Sequence, residues 1–292
     1  MIIWLSSYPK SGNTFLRSLL TAYLFTKDGK FQFNYLDKID QFPDKNVFKK
    51  LGFETLNDEE MVKNYIKVQQ KINSPDAKTI KFLKTHSSFY DINGYKFTDL
   101  NNTLGVIYIV RDPRSVVKSF ANHNQIPLDL ATQKMLEFTT LTGEKKHSIT
   151  IKDQVITHMG SWSSNYNTWK EFKKLNRYLL IKYEDLVSDT EKTFLEILKF
   201  IYKLGKSKLE INNYKLKNSI KSTTFSEMQK LEREQGFHEA IKDVNGKKIT
   251  FEDVIDFNET ELFKLTFKGK GHNLRKNKLK KQFLKEKEKL KN

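Results

Sequence analysis

The chain has 292 residues, and 38% hydrophobic with 13% aromatic content supplies enough apolar side chains for a substantial core. With only 12 Gly and 5 Pro this excludes a disordered or collagen-like chain, and the absence of Cys excludes disulfides, thiol catalysis and Cys-based zinc or iron–sulfur sites. A formal net charge of +17 favours anionic ligands, yet only 6 of the 52 basic residues are Arg, which argues against dedicated nucleic-acid binding through bidentate base readers.

In chain order, Ile2–Leu5 reads as a strand that begins at once, without the charged n-region and long apolar stretch of a secretory signal. No apolar run approaches the roughly 18 residues needed to span a bilayer. The expectation is a cytoplasmic globular protein with no membrane span. Ser6–Asn13 then forms a polar loop leading into a helix at Thr14–Phe25, whose Leu16, Leu19, Leu20 and Tyr23 share one face. Thr79–Lys84 reads as a second strand. Leu104–Val110 is almost continuously apolar, as in a strand buried on both faces, and Pro113 suits the first turn of a helix to about Asn122. Trp162, Tyr166, Trp169 and Phe172 recur at the helical spacing of a core face. Tyr178–Lys182 is a fourth strand, and Ser188-Asp-Thr-Glu191 matches a capping box opening a helix to about Leu204. Residues 26–77 and 123–175 read as helical insertions.

Strands alternating with helices predict a single α/β domain, a parallel sheet flanked by helices on both faces, over residues 1–274. The remaining Arg275–Asn292, with 9 basic and 2 acidic residues, is expected to be a basic amphipathic helix or tail. In such a sheet ligands bind at the carboxyl ends of the strands, so the chemistry is sought in the polar segments that follow them.

The first of these is Ser7-Tyr8-Pro9-Lys10-Ser11-Gly12-Asn13-Thr14. A strand, a Gly/Ser/Thr loop and a helix start together offer backbone N–H groups and a positive helix end to a phosphate. Lys10 adds a charge, and Ser11, Asn13 and Thr14 add donors. The Gly-Lys-Ser/Thr ending of a Walker A loop is absent, because Lys10 precedes Gly12. An ordinary polar turn is the competing account. The second strand ends in Lys84-Thr85-His86, where a histidine with a lysine two residues earlier offers a general base beside a charge. The other five histidines, His123 among them, are expected to do nothing chemical. The third strand runs into Arg111, suited to phosphate recognition, with Ser119 about two helical turns on. Here the alternative is a structural pair between Arg111 and Asp112.

Taken together these segments resemble the cytosolic-type sulfotransferases that use 3′-phosphoadenosine-5′-phosphosulfate (PAPS). Residues 8–15, Tyr-Pro-Lys-Ser-Gly-Asn-Thr-Phe, are similar to that family's Tyr-Pro-Lys-Ser-Gly-Thr-Thr-Trp, and Lys84-Thr85-His86 to its Lys-Thr-His. Arg111 and Ser119 have the spacing of its 3′-phosphate pair. Tyr183-Glu184-Asp185, Gly160-Ser161-Trp162, Thr223-Thr224-Phe225-x-x-Met228 and Phe267-x-Gly269-Lys270-Gly271 resemble further family segments, in family order.

The resemblance implies a P-loop-like fold and transfer of a sulfuryl group from PAPS to an acceptor hydroxyl or amine, leaving 3′-phosphoadenosine-5′-phosphate (PAP). It implies His86 as general base, Lys10 and Lys84 as charge stabilisers, and Ser119 as a restraint on Lys10 besides its part in the 3′-phosphate site with Arg111. Residues 10–15, Tyr183, Thr223, Thr224, Phe225, Met228, Lys270 and Gly271 would complete the cofactor site, with no metal required. Four positions depart from the pattern. Phe15 stands for a Trp, Gly269 for an Arg, Leu274-Arg275-Lys276-Asn277 for Gly-Asp-Trp-Lys, and Ser87-Ser88 for Leu-Pro. The acceptor is expected to be a small molecule or carbohydrate. Phe31, Phe33, Tyr35, Phe42, Phe89 and Tyr90 suit an aromatic or lipid-like alcohol, though core packing explains them equally well. The assembly is expected to be a monomer or homodimer. Two rivals are a nucleotide kinase of P-loop type and a non-enzymatic basic protein that binds nucleotides or nucleic acid.

Overall fold

The structure, a computed structural model, describes residues 1–54, 57–74, 79–142 and 155–235. Strand β1 (Ile2–Ser6) leads into α1 (Asn13–Phe25), followed by a 3-10 turn at Phe33–Lys38, α2 (Lys45–Lys50) and α3 (Asp58–Asn73). Strand β2 (Lys81–Thr85) precedes a small hairpin of β3 (Asp91–Ile92) and β4 (Tyr95–Lys96). Strand β5 (Thr103–Val110) opens into α4 (Pro113–Asn124) and α5 (Leu128–Leu136), and β6 (Leu141–Thr142) pairs with β7 (Ile156–Thr157). After α6 (Trp162–Trp169) come β8 (Tyr178–Lys182), α7 (Tyr183–Ser188), α8 (Thr190–Leu204), α9 (Asn213–Ser222) and α10 (Phe225–Gln235).

Four strands form the main sheet in the order β2-β1-β5-β8, every neighbouring pair parallel. Parallel pairing needs crossovers that lay helices over the faces, and the sequence of the inner strands reflects this. Every residue of β1 is buried, as are seven of the eight in β5. Alternate residues of these strands belong to two different cores. Trp4, Val106 and Tyr108 pack with Tyr65 of α3, Phe120 of α4 and Trp162, Tyr166 and Trp169 of α6. Ile3, Leu5, Ile107 and Ile109 pack with Leu16 and Leu20 of α1, Phe194 and Ile197 of α8 and Leu216 of α9. The single α/β layer arrangement is therefore as expected, and the tryptophan face of α6 is core.

Three local readings change. The second strand starts at Lys81 rather than Thr79, because its ladder with β1 begins opposite Ile2. The helix after Ser188 is capped by Asp189, whose carboxylate accepts from the Lys192 N–H, so the capping box is one residue out of place. Of the aromatics in the insertions, Phe31, Phe33 and Phe42 are 2%, 3% and 0% exposed and serve the core rather than an acceptor. The boundary at 274 and the tail Arg275–Asn292 lie outside the described residues.

Candidate active site

Because β1, β2 and β5 run in register to a common edge, with Ser6 opposite both Thr85 and Tyr108, the segments beginning at Ser7, His86 and Arg111 emerge together. Strand β8 pairs with β5 up to Val110 opposite Lys182, which places Tyr183 on the same edge. Four segments separated by as much as 176 positions thus meet by topology alone.

In the first loop both Lys10 (φ 65°) and Gly12 (φ 98°) adopt left-handed backbone. Glycine is required at 12 twice over. Its φ penalises any side chain, and a Cβ there would lie 2.3 Å from the Tyr183 ring. Helix α1 then begins with no side-chain cap and no acidic residue in its first turn, and its first carbonyl bond joins the Leu16 N–H to Gly12. The N–H groups ahead of Leu16 are left without partners in the helix. The buried Ser11 hydroxyl likewise has no hydrogen-bond partner among the described residues. Asn13 behaves differently from the expectation. Its amide donates inward to the Leu5 carbonyl at 3.0 Å and to Ser7 Oγ at 3.2 Å, so the side chain braces the loop and leaves only its main chain facing the helix start.

His86 is held at its ring and at its backbone. Nδ1 lies 2.8 Å from the Ser7 carbonyl oxygen, which can only accept, so Nδ1 carries the proton and Nε2 keeps a lone pair. The Ser7 hydroxyl stands 3.2 Å from the same nitrogen. The His86 carbonyl accepts from Asn165 Nδ2 at 2.9 Å; that amide also donates to Met159, and its oxygen accepts from Tyr108. Trp169 Nε1 donates to the Ser87 carbonyl at 2.8 Å, and the Phe89 N–H donates to Thr168. Helix α6, opened by a Ser161–Ser164 capping box, is thus the frame for the histidine segment. Burial first, and then the charge of Lys84, push the His86 ring down to about 3, so it is neutral at ordinary pH.

Opposite stand the cations. The Arg111 guanidinium lies over the Tyr183 ring at 4.5 Å and donates to the Lys10 carbonyl at 3.3 Å. It is not paired with Asp112, whose carboxylate is engaged by Arg114. Lys10 is pushed down to about 8 by burial and then by the charge of Arg111. Its ammonium donates to His123 Nδ1 at 3.2 Å, rather than to Ser119, one turn earlier on the same face of α4. His123 is itself pushed down to about 3, by burial and then by the charges of Lys10 and Lys84. Lys84 is 9% exposed, and its backbone bonds to Asp40 and Phe42 fix it at the sheet edge. A lysine whose proton is loosened by burial and by a nearby guanidinium, beside an uncapped helix start, describes a place that gains from an anion.

Phe15, Met228, Phe31 and Phe33 meet in one cluster next to the start of α1. Thr223 is buried at the end of α9 and bonded to Ser219, Thr224 supports the first turn of α10, and Phe225 is exposed. Lys270 and Gly271 lie outside the described residues. Sequence reasoning missed Ser7, Asn165 and His123. Only the first had a local signal, since it sits in the loop already singled out. Among the described residues no three His, Asp or Glu side chains gather as a metal ion would require.

A parallel sheet with an uncapped helix start, a neutral half-buried imidazole and converging cations at its carboxyl edge describes a site suited to an anionic ligand. The comparisons with known proteins place it further. The sulfotransferase domain family matches residues 2–262, nearly the whole chain, and the chain belongs to that family. Mouse sulfotransferase 1E1 is 22% identical over 234 residues, 77% of this chain and 65% of that protein, so the match spans just under two thirds of that relative's length. Among solved structures, mouse sulfotransferase SULT7A1 complexed with PAP shares the fold with a TM-score of 0.51 at 18% identity, over 97% of this chain and 84% of that one. Retinol dehydratase in complex with retinol and PAP does so with a TM-score of 0.52 at 14% identity, over 97% of this chain and 81% of that one.

Proposed function

We propose that this chain transfers the sulfuryl group of PAPS to an acceptor hydroxyl or amine and releases PAP. The observation that carries the reading is the meeting of Lys10, Arg111 and a neutral His86 with the uncapped start of α1 at one sheet edge, in a chain of the sulfotransferase family. Its residues suit the nucleotide. The loop at 10–12 has no Cβ where Tyr183 approaches, the Ser11 hydroxyl is unpartnered among the described residues, and two mutually repelling cations stand beside it.

PAPS supplies the activated sulfuryl group. Lys10 and the α1 N–H groups would hold the 5′-phosphate end, where negative charge grows as the bond to sulfur breaks. Arg111 with Ser119 would hold the 3′-phosphate, and Phe15, Tyr183 and the 223–228 segment the adenine side. Lys270 and Gly271 are proposed for the same site. His86 Nε2 takes the acceptor's proton as the acceptor oxygen or nitrogen forms its new bond to sulfur. Ser7, holding Nδ1–H, leaves Nε2 as the nitrogen with the free lone pair. Such transfers rely on positioning and charge stabilisation, which Lys10 and Lys84 can supply without a metal ion.

Retinol dehydratase has been solved with retinol and with androsterone beside PAP, which supports a small-molecule alcohol as the acceptor class. The kinase reading lacks the Gly-Lys-Ser/Thr ending.

A thermal-shift titration with PAP, 5′-AMP and ATP–Mg²⁺ in parallel tests the proposal, because a ligand bound only by the native state raises Tm by mass action. PAP should give a large rise that 5′-AMP does not match. No rise, or a larger one with ATP–Mg²⁺, would overturn it.

A further inference from the structure

We infer that His123 is a positioning residue that holds Lys10 charged and aimed at the transfer site. The inference rests on the sulfotransfer reading above.

The geometry leaves one arrangement. An ammonium has no lone pair, so in the 3.2 Å contact between Lys10 Nζ and His123 Nδ1 the lysine donates and the imidazole accepts. His123 is therefore neutral, with its proton on Nε2. Lys10 leaves the loop with left-handed backbone, at φ 65°, and its side chain reaches helix α4. Its carbonyl is bound by Arg111 and its ammonium by His123, so the residue is fixed at both ends.

Lys10 has few other sources of compensation. The groups that act on it and on His123 are cationic or neutral: Arg111 from the end of β5, Lys84 from β2, and His86 beyond β2. No carboxylate contributes to the balance at Lys10. A buried ammonium facing a guanidinium loses its proton readily, and a neutral acceptor opposes that loss. His123 supplies the acceptor without adding an anion that would compete with the donor nucleotide. A carboxylate at 123 would neutralise Lys10, and a hydroxyl at 119 is one turn away from where the ammonium lies.

The test compares wild type, His123→Leu and His123→Asn, whose Oδ1 can stand where Nδ1 does. PAP affinity is measured by calorimetry across pH, with kcat at saturating PAPS alongside. In wild type PAP binding should weaken above about pH 8, as Lys10 loses its proton. In His123→Leu the midpoint should move down by about one pH unit, the equivalent of one lost hydrogen bond, and His123→Asn should restore it. In a Lys10→Met background the leucine change should have no further effect on the pH midpoint, since the group it acts through is gone.

A His123→Leu midpoint equal to wild type, with the protein folded by circular dichroism, would overturn the inference. So would an equal shift of the midpoint in the Lys10→Met background. If His123→Leu does not fold, His123→Asn and His123→Gln decide: glutamine places its carbonyl further out, so equal midpoints for both would sink the idea. Wild type that binds no PAP at any pH is a different result and would instead overturn the sulfotransfer reading.

Discussion

The segment 86–89 is tied to α6 and its entry loop through Asn165, Trp169, Thr168 and the Met159 carbonyl, and its histidine ring is tied back to Ser7. The loop 7–12, one strand away, keeps unmet donors. Its lysine carbonyl is bound by Arg111 but its ammonium has a single imidazole acceptor, its Ser11 hydroxyl has no partner among the described residues, and the helix it opens is uncapped. On the proposed reading the difference follows from what each side would do. A proton acceptor works by having its lone pair already in place, which suits a braced His86. An anion cradle works by having unmet demand for negative charge, which suits donors short of partners and cations that repel.

Changes that remove the braced base should do the most damage to turnover. His86→Ala should lower kcat about 10²–10⁴-fold while PAP still raises Tm, because the cradle is untouched. Equal loss of turnover and PAP binding would mean that the two regions are not separable.

Removing the cradle's lysine comes next. Lys10→Ala should cost about 2–4 kcal/mol of transition-state stabilisation, read from kcat/KM. The pH profile of wild type sharpens this point. His86 is pushed down to about 3 and stays neutral above that, whereas Lys10, pushed down to about 8, is cationic only below it. For the free enzyme kcat/KM for PAPS should therefore be level at mildly acidic to neutral pH and fall above about 8. A fall on the acid side near 6 would contradict the neutral, braced His86.

Arg111→Ala should act mainly on KM for PAPS, by about 1.5–3 kcal/mol, the scale of hydrogen bonds to a charged group. An unchanged KM would remove it from the 3′-phosphate site. The mildest effect on chemistry should come from the brace itself. Asn165→Leu takes this partner from the His86 carbonyl and the Tyr108 hydroxyl, at about 1–3 kcal/mol each in stability, while the Met159 carbonyl keeps its bond from Ser88. Tm should drop clearly, with kcat lowered less than in His86→Ala. A variant with unaltered Tm would show that α6 does not frame the base.

The amino-acid sequence by itself determined the layer order and the donors. Apolar runs at Ile2–Leu5, Leu104–Val110 and Tyr178–Lys182 read as strands, the first two buried and the third half-buried, and Lys10, Gly12, His86 and Arg111 stand where those strands or their neighbour β2 end. Local spacing is enough for that, because strand burial and loop chemistry are written within a few residues. What only the tertiary structure decided are the pairings between distant segments. Asn165 meets His86 across 79 positions, and His123 meets Lys10 across 113. A polar side chain on a helix has no local pattern that names its partner. The partner is fixed when strand order brings two crossovers to one edge, and the burial that results then sets which ring is neutral and which ammonium holds its proton loosely.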